Sequence, residues 1–226
     1  MTRESENGHL LVFDLDGTLV DSQRDLTEAV NATRAWMGLG PLPPENVARY
    51  VGNGAPVLIQ RALPDAGKED WSRGLQYFLE YYREHMLDST TLYPGVREAL
   101  DHLHGAGIPL AVLTNKPIRF TLQMLEGLAL DLHFFRVYGG NSFPKKKPHP
   151  MGLEALIAEA CASRGRTVMV GDSAVDVQTA RNAGVRACGV RWGFQPETFA
   201  DSPPDFLIEA MRELAGLVLT TSPRSS

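Results

Sequence analysis

A chain of 226 residues, 43% of them hydrophobic and 22% charged, is long enough for one large globular domain or for one domain with a smaller insertion. Its net charge of −5 argues against nucleic-acid binding, and no apolar stretch approaches the ~20 residues that span a bilayer. Residues 1–8 are polar and lack the apolar core of a secretory signal. The two cysteines, Cys161 and Cys188, each lie in an apolar segment. We therefore expect a cytoplasmic protein with two buried free thiols and with neither nucleic-acid nor membrane partners.

The first predicted element is a strand over residues 10–13, which runs directly into Asp14-Leu15-Asp16-Gly17-Thr18. A short aliphatic run of this kind is typical of a strand buried in a parallel sheet. Two carboxylates about 4 Å apart repel by roughly 4 kcal/mol at an effective dielectric of about 20. We expect a cation to relieve this repulsion, which favours metal-assisted chemistry on a carboxylate over a turn that only caps the next helix.

Residues 22–87 carry the periodicity of helices. Apolar side chains at three- and four-residue spacing predict a first helix from Leu26 to Met37, with Asp21 or Ser22 as its N-cap. A proline cluster at 41–44 ends it and begins a second helix, and Gly52-Asn53-Gly54 separates the second helix from a third. The apolar positions of the fourth are Trp71, Leu75, Phe78, Tyr82 and Met86. We interpret these stripes as the core of a helical bundle.

From Tyr93 onward, buried strands alternate with amphipathic helices, of which the first ends near Gly105. The predicted strands are 110–113, 134–138, 168–170, 187–190 and 206–208. This alternation predicts an α/β fold, a doubly wound parallel sheet with helices on both faces, to which the strand at 10–13 also belongs. We predict an α/β catalytic core domain of residues 1–20 and 90–220, an inserted helical cap domain of residues 21–89, and a disordered tail of residues 221–226.

Polar motifs follow three of these strands where each strand ends. Asp14 follows the first strand, Thr114-Asn115-Lys116 follows the strand at 110–113, and Gly171-Asp172-Ser173 follows the strand at 168–170. Carboxyl ends of parallel strands meet at one edge of the sheet, so we expect these residues to lie together. A helix N-cap would explain Asp172 or Ser173 alone. It would not explain why several acids, Asp176 among them, are expected at one edge of the sheet. The pattern therefore favours a Mg²⁺ site.

Lys147 stands in Lys147-Pro148-His149-Pro150, where the prolines restrict the backbone. An isolated lysine in a loop is usually a surface residue. Because Lys147 follows the strand predicted at 134–138, we expect it at the same edge, as a cation opposite the metal. We expect Lys145 and Lys146 to be solvated.

These motifs resemble, in the same order, the four motifs of the haloacid dehalogenase superfamily. They are Asp14-Leu15-Asp16-Gly17-Thr18, Thr114-Asn115, Lys147-Pro148 and Gly171–Asp176. The helical segment resembles the small cap of that superfamily. Within it the chain is most similar to the bacterial phosphoglycolate phosphatases, through the segments 13–22, 50–55, 61–63, 113–117 and 146–150. Asn141 departs from that pattern, which has an acidic residue there.

The resemblance implies a Rossmann-like core and a reaction on a small-molecule phosphate ester. Asp14 would attack phosphorus to form an aspartyl-phosphate, and Asp16 would act as the general acid and base. Mg²⁺ would be held by the Asp14 carboxylate, the Asp16 backbone carbonyl and Asp172, with Asp176 supporting it. Dehalogenases lack the second acid because halide leaves without a proton, so Asp16 indicates a phosphate ester.

Further roles follow from the same resemblance. The predicted phosphate-binding residues are Thr114, Asn115 through its backbone, and Lys147. Thr18 would support the phosphate or Asp16, and Asn53 and Arg61 in the cap would read the rest of the substrate. For Asn53 and Arg61, a turn and a surface arginine remain the alternatives.

The expected activity is hydrolysis of 2-phosphoglycolate to glycolate and phosphate. A phosphatase for a sugar phosphate, a nucleotide or pyrophosphate remains an alternative, as does a sugar phosphomutase, which would use Asp14 and Asp16 in the same roles. A non-catalytic phosphate-binding protein is a further alternative. We expect a monomer or a homodimer.

Overall fold

The computed structural model describes residues 8–219, so the predicted tail at 221–226 lies outside the described residues. The strands, in chain order, are β1 (Gly8–Phe13), β2 (Val20–Asp21), β3 (Thr91–Leu92), β4 (Leu110–Leu113), β5 (Arg136–Tyr138), β6 (Ala162–Gly171), β7 (Arg186–Val190) and β8 (Phe206–Ile208). The helices are α1 (Gln23–Trp36), α2 (Pro44–Tyr50), α3 (Ala55–Ala62), α4 (Lys68–His85), α5 (Val96–Gly105), α6 (Ile118–Gly127), α7 (Met151–Glu159), α8 (Ala174–Ala183) and α9 (Glu213–Leu219).

Six strands form one parallel sheet in the order β5-β4-β1-β6-β7-β8, and β2 pairs with β3 in a small antiparallel ribbon. The strand β1 is central, with Phe13 in register with Val112 of β4 and Val170 of β6. Both of its faces are covered, which is why residues 10–13 of this strand are continuously apolar rather than alternating. The predicted doubly wound α/β sheet is confirmed.

The core lies on both sides of the sheet. Leu11 and Phe13 pack with residues of α5 and α6, whereas Leu10 and Val12 pack with residues of α7 and α8. Each of these four side chains is fully buried, which stabilises the fold by about 1.5–3 kcal/mol per large aliphatic side chain.

The four helices predicted between residues 22 and 87 are present as α1–α4. Their buried side chains, among them Leu26, Ile59 and Phe78, belong to the same cluster as one face of the sheet. Trp36 differs from the predicted buried stripe because it is 45% exposed. It stacks on Tyr77 with ring centroids 4.9 Å apart, under the guanidinium of Arg73.

Cys161 also differs from the prediction. Both cysteines are free, but only Cys188 is buried, and Cys161 is exposed. The reason is local, because Cys161 lies in the tight connection between α7 and β6, with φ at 49°.

Within residues 8–219, no helix combines the length and the hydrophobicity needed to cross a membrane.

Candidate active site

The site lies in the crevice where the chain reverses its direction across the sheet. The strands β4 and β5 that follow β1 in this sheet lie on one side of it, and the next strand, β6, lies on its other side. Ligands bind outside the carboxyl ends of such strands. Asp14 follows β1 and Asp172 follows β6, so they flank this crevice, and the Asp14 N–H donates to the Val170 carbonyl at 2.9 Å.

Three buried carboxylates converge there. One oxygen from each of Asp14, Asp172 and Asp176 lies within 4.8 Å of the others. Burial raises the pKa of Asp14 to about 6, with Lys147 opposing and Asp176 adding to that rise. Burial, with the charges of Asp176 and Asp14, raises the pKa of Asp172 well above its ordinary value. Carboxyls this hard to ionise need positive charge nearby.

Lys147 supplies part of that charge. Its Nζ lies 2.9 Å from Asp14 Oδ1 and 2.6 Å from Asp176 Oδ1, and its side chain is only 1% exposed. Burial alone would lower the pKa of Lys147, but Asp14 and Asp176 raise it above its ordinary value. The structure therefore places Lys147 beside Asp14, as its position in the chain predicts.

The donor set fits a divalent cation. Asp14 Oδ1 is buried, and its contact among residues 8–219 is the ion pair with Lys147 Nζ at 2.9 Å. The oxygens of Asp176 are engaged, with Oδ1 accepting from Lys147 and Oδ2 from the Ser173 hydroxyl at 2.9 Å, where Ser173 begins α8. Asp14 and Asp172 are thus better placed than Asp176 to bind Mg²⁺ directly, since Mg²⁺ prefers one or two carboxylates.

Two glycines leave the room that this arrangement needs. Gly17 has a φ of +80°, and a Cβ built on it would lie 2.2 Å from Asp172 Oδ2. A Cβ on Gly193 would lie 2.1 Å from the Asp172 Cβ and 2.6 Å from the Gly17 carbonyl oxygen. Larger residues at these positions would displace Asp172.

Asp16, the predicted acid and base, is oriented by two groups. The Ser22 hydroxyl donates to Asp16 Oδ1 at 2.6 Å rather than capping α1. Lys116 Nζ donates to both carboxylate oxygens of Asp16, at 3.0 and 3.1 Å, and to the Tyr82 hydroxyl at 2.7 Å. Asp16 is therefore held by Ser22 and Lys116, and Lys116 links it to Tyr82 of α4.

The predicted phosphate-binding residues lie at the same edge of the sheet. Thr114 is buried and lines the pocket. Asn115 Nδ2 donates to the Gly52 carbonyl at 2.8 Å and to the Lys147 carbonyl at 3.0 Å, so this side chain ties the helical segment to the Lys147 loop. Thr18 is buried, and its Oγ1 has no hydrogen-bond partner among residues 8–219.

The loop between α2 and α3 lies over the site. Gly52 and Gly54 line the pocket. The Asn53 carbonyl accepts from Lys146 Nζ, so Lys146 is exposed but contacts the helical segment. Gln195 Nε2 donates to the Val51 carbonyl at 2.9 Å. Core residues thus hold this loop from two sides.

Arg61 does not enter the site. Its guanidinium donates to the Tyr50 carbonyl at 3.3 Å, on an exposed part of α3, and it is not among the described residues lining the pocket. The physical reason is its helical position, since the buried face of α3 carries Leu58, Ile59 and Ala62.

Sequence reasoning missed Lys116 and Gln195. Lys116 stands directly after Thr114-Asn115, but no partner for it is visible in sequence, since Tyr82 is 34 positions away. The loop carrying Gln195 shows no strand-end motif at all.

The pocket enclosed by these groups has a volume of about 50 Å³. The charged residues on its described lining are Asp14, Asp16, Asp172 and Lys116. Its remaining walls are largely apolar, including Leu26, Leu58, Phe78, Phe120 and Phe194. Such a space suits a compact ligand better than a polyhydroxylated one, because unpaired hydroxyls are costly to bury.

A family model for haloacid dehalogenase-like hydrolases matches residues 11–190 of this chain. That range contains every strand except β8 and the first residues of β1, and it includes all the acids described above.

Similar proteins extend over nearly the whole chain. A phosphoglycolate phosphatase from Chromobacterium violaceum is 39% identical over 213 residues, covering 92% of this chain and 95% of that protein. One from Vibrio parahaemolyticus is 37% identical, covering 94% of this chain and 97% of that protein. The crystal structure of a predicted phosphoglycolate phosphatase from Haemophilus somnus superposes with a TM-score of 0.89 at 32% identity, covering 93% of this chain and 97% of that one.

Proposed function

The chain belongs to the haloacid dehalogenase-like hydrolase family and is a phosphatase, and on that premise we propose that it hydrolyses 2-phosphoglycolate with Mg²⁺ through an aspartyl-phosphate. The observation that carries the chemistry is the buried cluster of Asp14, Asp172 and Lys147, with Asp16 beside it. The names of relatives at 37–39% identity support the substrate.

Mg²⁺ would be held by the carboxylates of Asp14 and Asp172 and the backbone carbonyl of Asp16, with Asp176 supporting them. Bound there, the ion supplies positive charge against the oxygens of the transferring phosphoryl group. Thr114, the backbone at Asn115 and Lys147 bind the remaining phosphate oxygens.

Asp14 acts as the nucleophile in its ionised form. Its pKa of about 6 leaves it largely ionised at neutral pH even without metal. Lys147 keeps that carboxylate in place, and from beside Asp14 its charge would also act on the phosphate oxygens. The attack forms an acyl phosphate on Asp14 and releases the ester oxygen.

Asp16 gives a proton to that departing oxygen and takes one from the water that cleaves the acyl phosphate. Its contacts with Ser22 and Lys116 fix its orientation before substrate binds. Thr18, whose buried Oγ1 has no hydrogen-bond partner among residues 8–219, would support the phosphate or Asp16.

We also propose that residues 21–89 act as a cap over a core of residues 1–20 and 90–220. The loop at 52–54, with Asn53, would close the site and exclude water. Its hydrogen bonds to Asn115 and Gln195 support this role.

A cytoplasmic location is proposed as well, which the two free cysteines support.

The test is phosphate release with and without Mg²⁺ from 2-phosphoglycolate, glucose 6-phosphate, AMP and pyrophosphate. We expect kcat/KM to be highest for 2-phosphoglycolate and activity to require the metal. Asp14→Asn should abolish release and Asp16→Ala should nearly abolish it, whereas Asp201→Asn, at an exposed aspartate, should behave as wild type.

Wild-type turnover in Asp14→Asn would contradict the covalent scheme. Equal kcat/KM across the four compounds would contradict the substrate. Binding of phosphate without any turnover would contradict the enzymatic role altogether.

A further inference from the structure

Lys116 is a cation on the pocket wall whose role in the reaction above is limited to holding Asp16, and no charge of the substrate is yet assigned to it. Its side chain is 4% exposed, and its Nζ lies 3.0 Å from Asp16 Oδ1. Among the described residues that line the pocket it is the one cation, since Lys147 lies behind Asp14, paired with Asp14 and Asp176.

We propose that Lys116 binds the carboxylate of the substrate and thereby sets the preference for short phosphate esters that carry a carboxylate next to the ester carbon. This proposal rests on the proposed function and names the residue that reads the non-reacting end of the substrate.

The position of Asp16 fixes where that end must lie. To protonate the ester oxygen, Asp16 must approach it to about 2.6–3.2 Å. In 2-phosphoglycolate a single methylene separates the ester oxygen from the carboxylate. A carboxylate attached so closely therefore falls near the side chains that contact Asp16, which are Ser22 and Lys116, and of these two Lys116 carries the positive charge.

The surroundings of Lys116 favour an anion. Leu58, Phe78 and Phe120 line the same pocket, and apolar walls of this kind lower the local dielectric, which strengthens an ionic contact. The Tyr82 hydroxyl accepts from Lys116 at 2.7 Å. Its own proton has no acceptor within residues 8–219, so it is available to a second carboxylate oxygen.

Mg²⁺ and Lys147 would balance the charge of the phosphate, so the substrate carboxylate needs a cation of its own among the acids Asp14, Asp16 and Asp172 that line the pocket. Arg61, the other cation predicted to meet a carboxylate, lies outside it on the Tyr50 carbonyl. Lys116 is thus the described residue whose charge and place match the substrate carboxylate.

The competing role for Lys116 is structural, namely the orientation of Asp16 alone. The two roles make different predictions for a pair of esters of similar size, 2-phosphoglycolate and 2-hydroxyethyl phosphate, in which a neutral hydroxymethyl group replaces the carboxylate. Orientation of Asp16 matters equally for both esters, whereas carboxylate binding matters for one.

The experiment compares kcat/KM of wild type, Lys116→Met and the control Lys145→Met on both esters with Mg²⁺. We expect Lys116→Met to lower kcat/KM for 2-phosphoglycolate by ~100-fold or more, as for removal of one partner of a buried charge pair. We expect the loss on 2-hydroxyethyl phosphate, which reflects only the orientation of Asp16, to be smaller by at least ~10-fold. Lys145 is exposed, so its substitution should leave both values unchanged.

A second readout needs no turnover. Calorimetric binding of 2-phosphoglycolate to Asp14→Asn with Mg²⁺ should weaken by a similar factor in Asp14→Asn/Lys116→Met. If Lys116→Met does not fold, Lys116→Gln, which keeps a donor for Asp16 and Tyr82, carries the same comparisons.

Equal losses on the two esters, or unchanged binding in the double variant, would overturn the proposal and leave Lys116 as a positioning residue. This failure differs from failure of the proposed function, in which the wild-type protein releases phosphate from neither ester.

Discussion

Removal of the Lys147 charge tests how the acidic cluster is stabilised in metal-free protein. Lys147 Nζ lies 2.9 Å from Asp14 Oδ1 and 2.6 Å from Asp176 Oδ1, and its side chain is almost fully buried. Lys147→Met keeps an unbranched side chain of similar length and removes the charge. Asp14, Asp172 and Asp176 then face one another without their buried counter-charge.

The expected loss of stability follows from these contacts. Unit charges about 3 Å apart attract by roughly 5–6 kcal/mol at an effective dielectric of about 20, but the desolvation of the lysine offsets much of this. Breaking a buried pair by removing one partner costs about 3–5 kcal/mol. At roughly 2–4 °C per kcal/mol for a chain of this size, the Tm of Lys147→Met in EDTA should fall by ~6–20 °C near neutral pH.

The deficit should depend on pH. Burial already raises the pKa of Asp14 to about 6 in the wild-type protein, and loss of Lys147 raises it further. Above its folded pKa an unpaired buried carboxylate destabilises the fold, and this destabilisation disappears as protonation neutralises the group. The difference in Tm between variant and wild type is therefore largest at about pH 8 and shrinks toward about pH 5.

The assay is thermal unfolding followed by circular dichroism at both pH values in EDTA, with Lys145→Met as the control. Substitution of this exposed lysine should change stability by no more than about 0.5 kcal/mol. A Lys147→Met protein that melts within about 2 °C of wild type at about pH 8 would refute the reasoning. So would a deficit that grows as the pH falls.

Two further predictions concern the metal site. Burial raises the pKa of Asp14 to about 6 and that of Asp172 well above its ordinary value, so protons compete with Mg²⁺ for these carboxylates. The affinity of the protein for Mg²⁺, measured by calorimetry, should therefore rise at least ~10-fold between about pH 5 and pH 7. An affinity that does not change with pH would contradict this prediction. Gly193→Ala would place a Cβ 2.1 Å from that of Asp172 and should lower kcat by ~100-fold through misplacement of that carboxylate. In the control Gly105→Ala the added Cβ has no neighbouring atom within 4 Å, so this variant should retain wild-type kcat. Equal kcat values for Gly193→Ala and Gly105→Ala would contradict the steric argument.

The sheet and the approach of the acidic motifs to one another could be predicted from sequence because both follow from strand order. A buried parallel strand reads as an apolar run, and the residue after it lies at the ligand-binding edge. Asp14 and Asp172 are 158 positions apart in the chain, yet their place after β1 and β6 is enough to bring them together.

Exposure of individual side chains was less predictable. Trp36 continues the apolar periodicity of α1 but is the last residue of that helix, where it stacks on Tyr77 of α4 and stays 45% exposed instead of entering the core. Cys161 stands among apolar residues in sequence, but the turn into β6 points it to solvent. Periodicity assigns a face to a residue, and the packing of neighbouring elements decides whether that face is covered.

Lys147 and Lys116 separate what topology determines from what packing determines. Both lysines are buried and both bind an aspartate of the Asp14-Leu15-Asp16 segment. Lys147 follows β5 in chain order, so its approach to Asp14 could be inferred from the order of the strands. Lys116 reaches Asp16 beside Tyr82 of α4, and how α4 lies against the sheet depends on side-chain packing of the helical segment, which strand order does not specify. The residues proposed to act on the phosphate are therefore constrained by the sheet, whereas the residue proposed to bind the substrate carboxylate lies where the sheet and the helical segment meet. A change in that packing can alter substrate preference while Asp14, Lys147 and Asp172 stay in place.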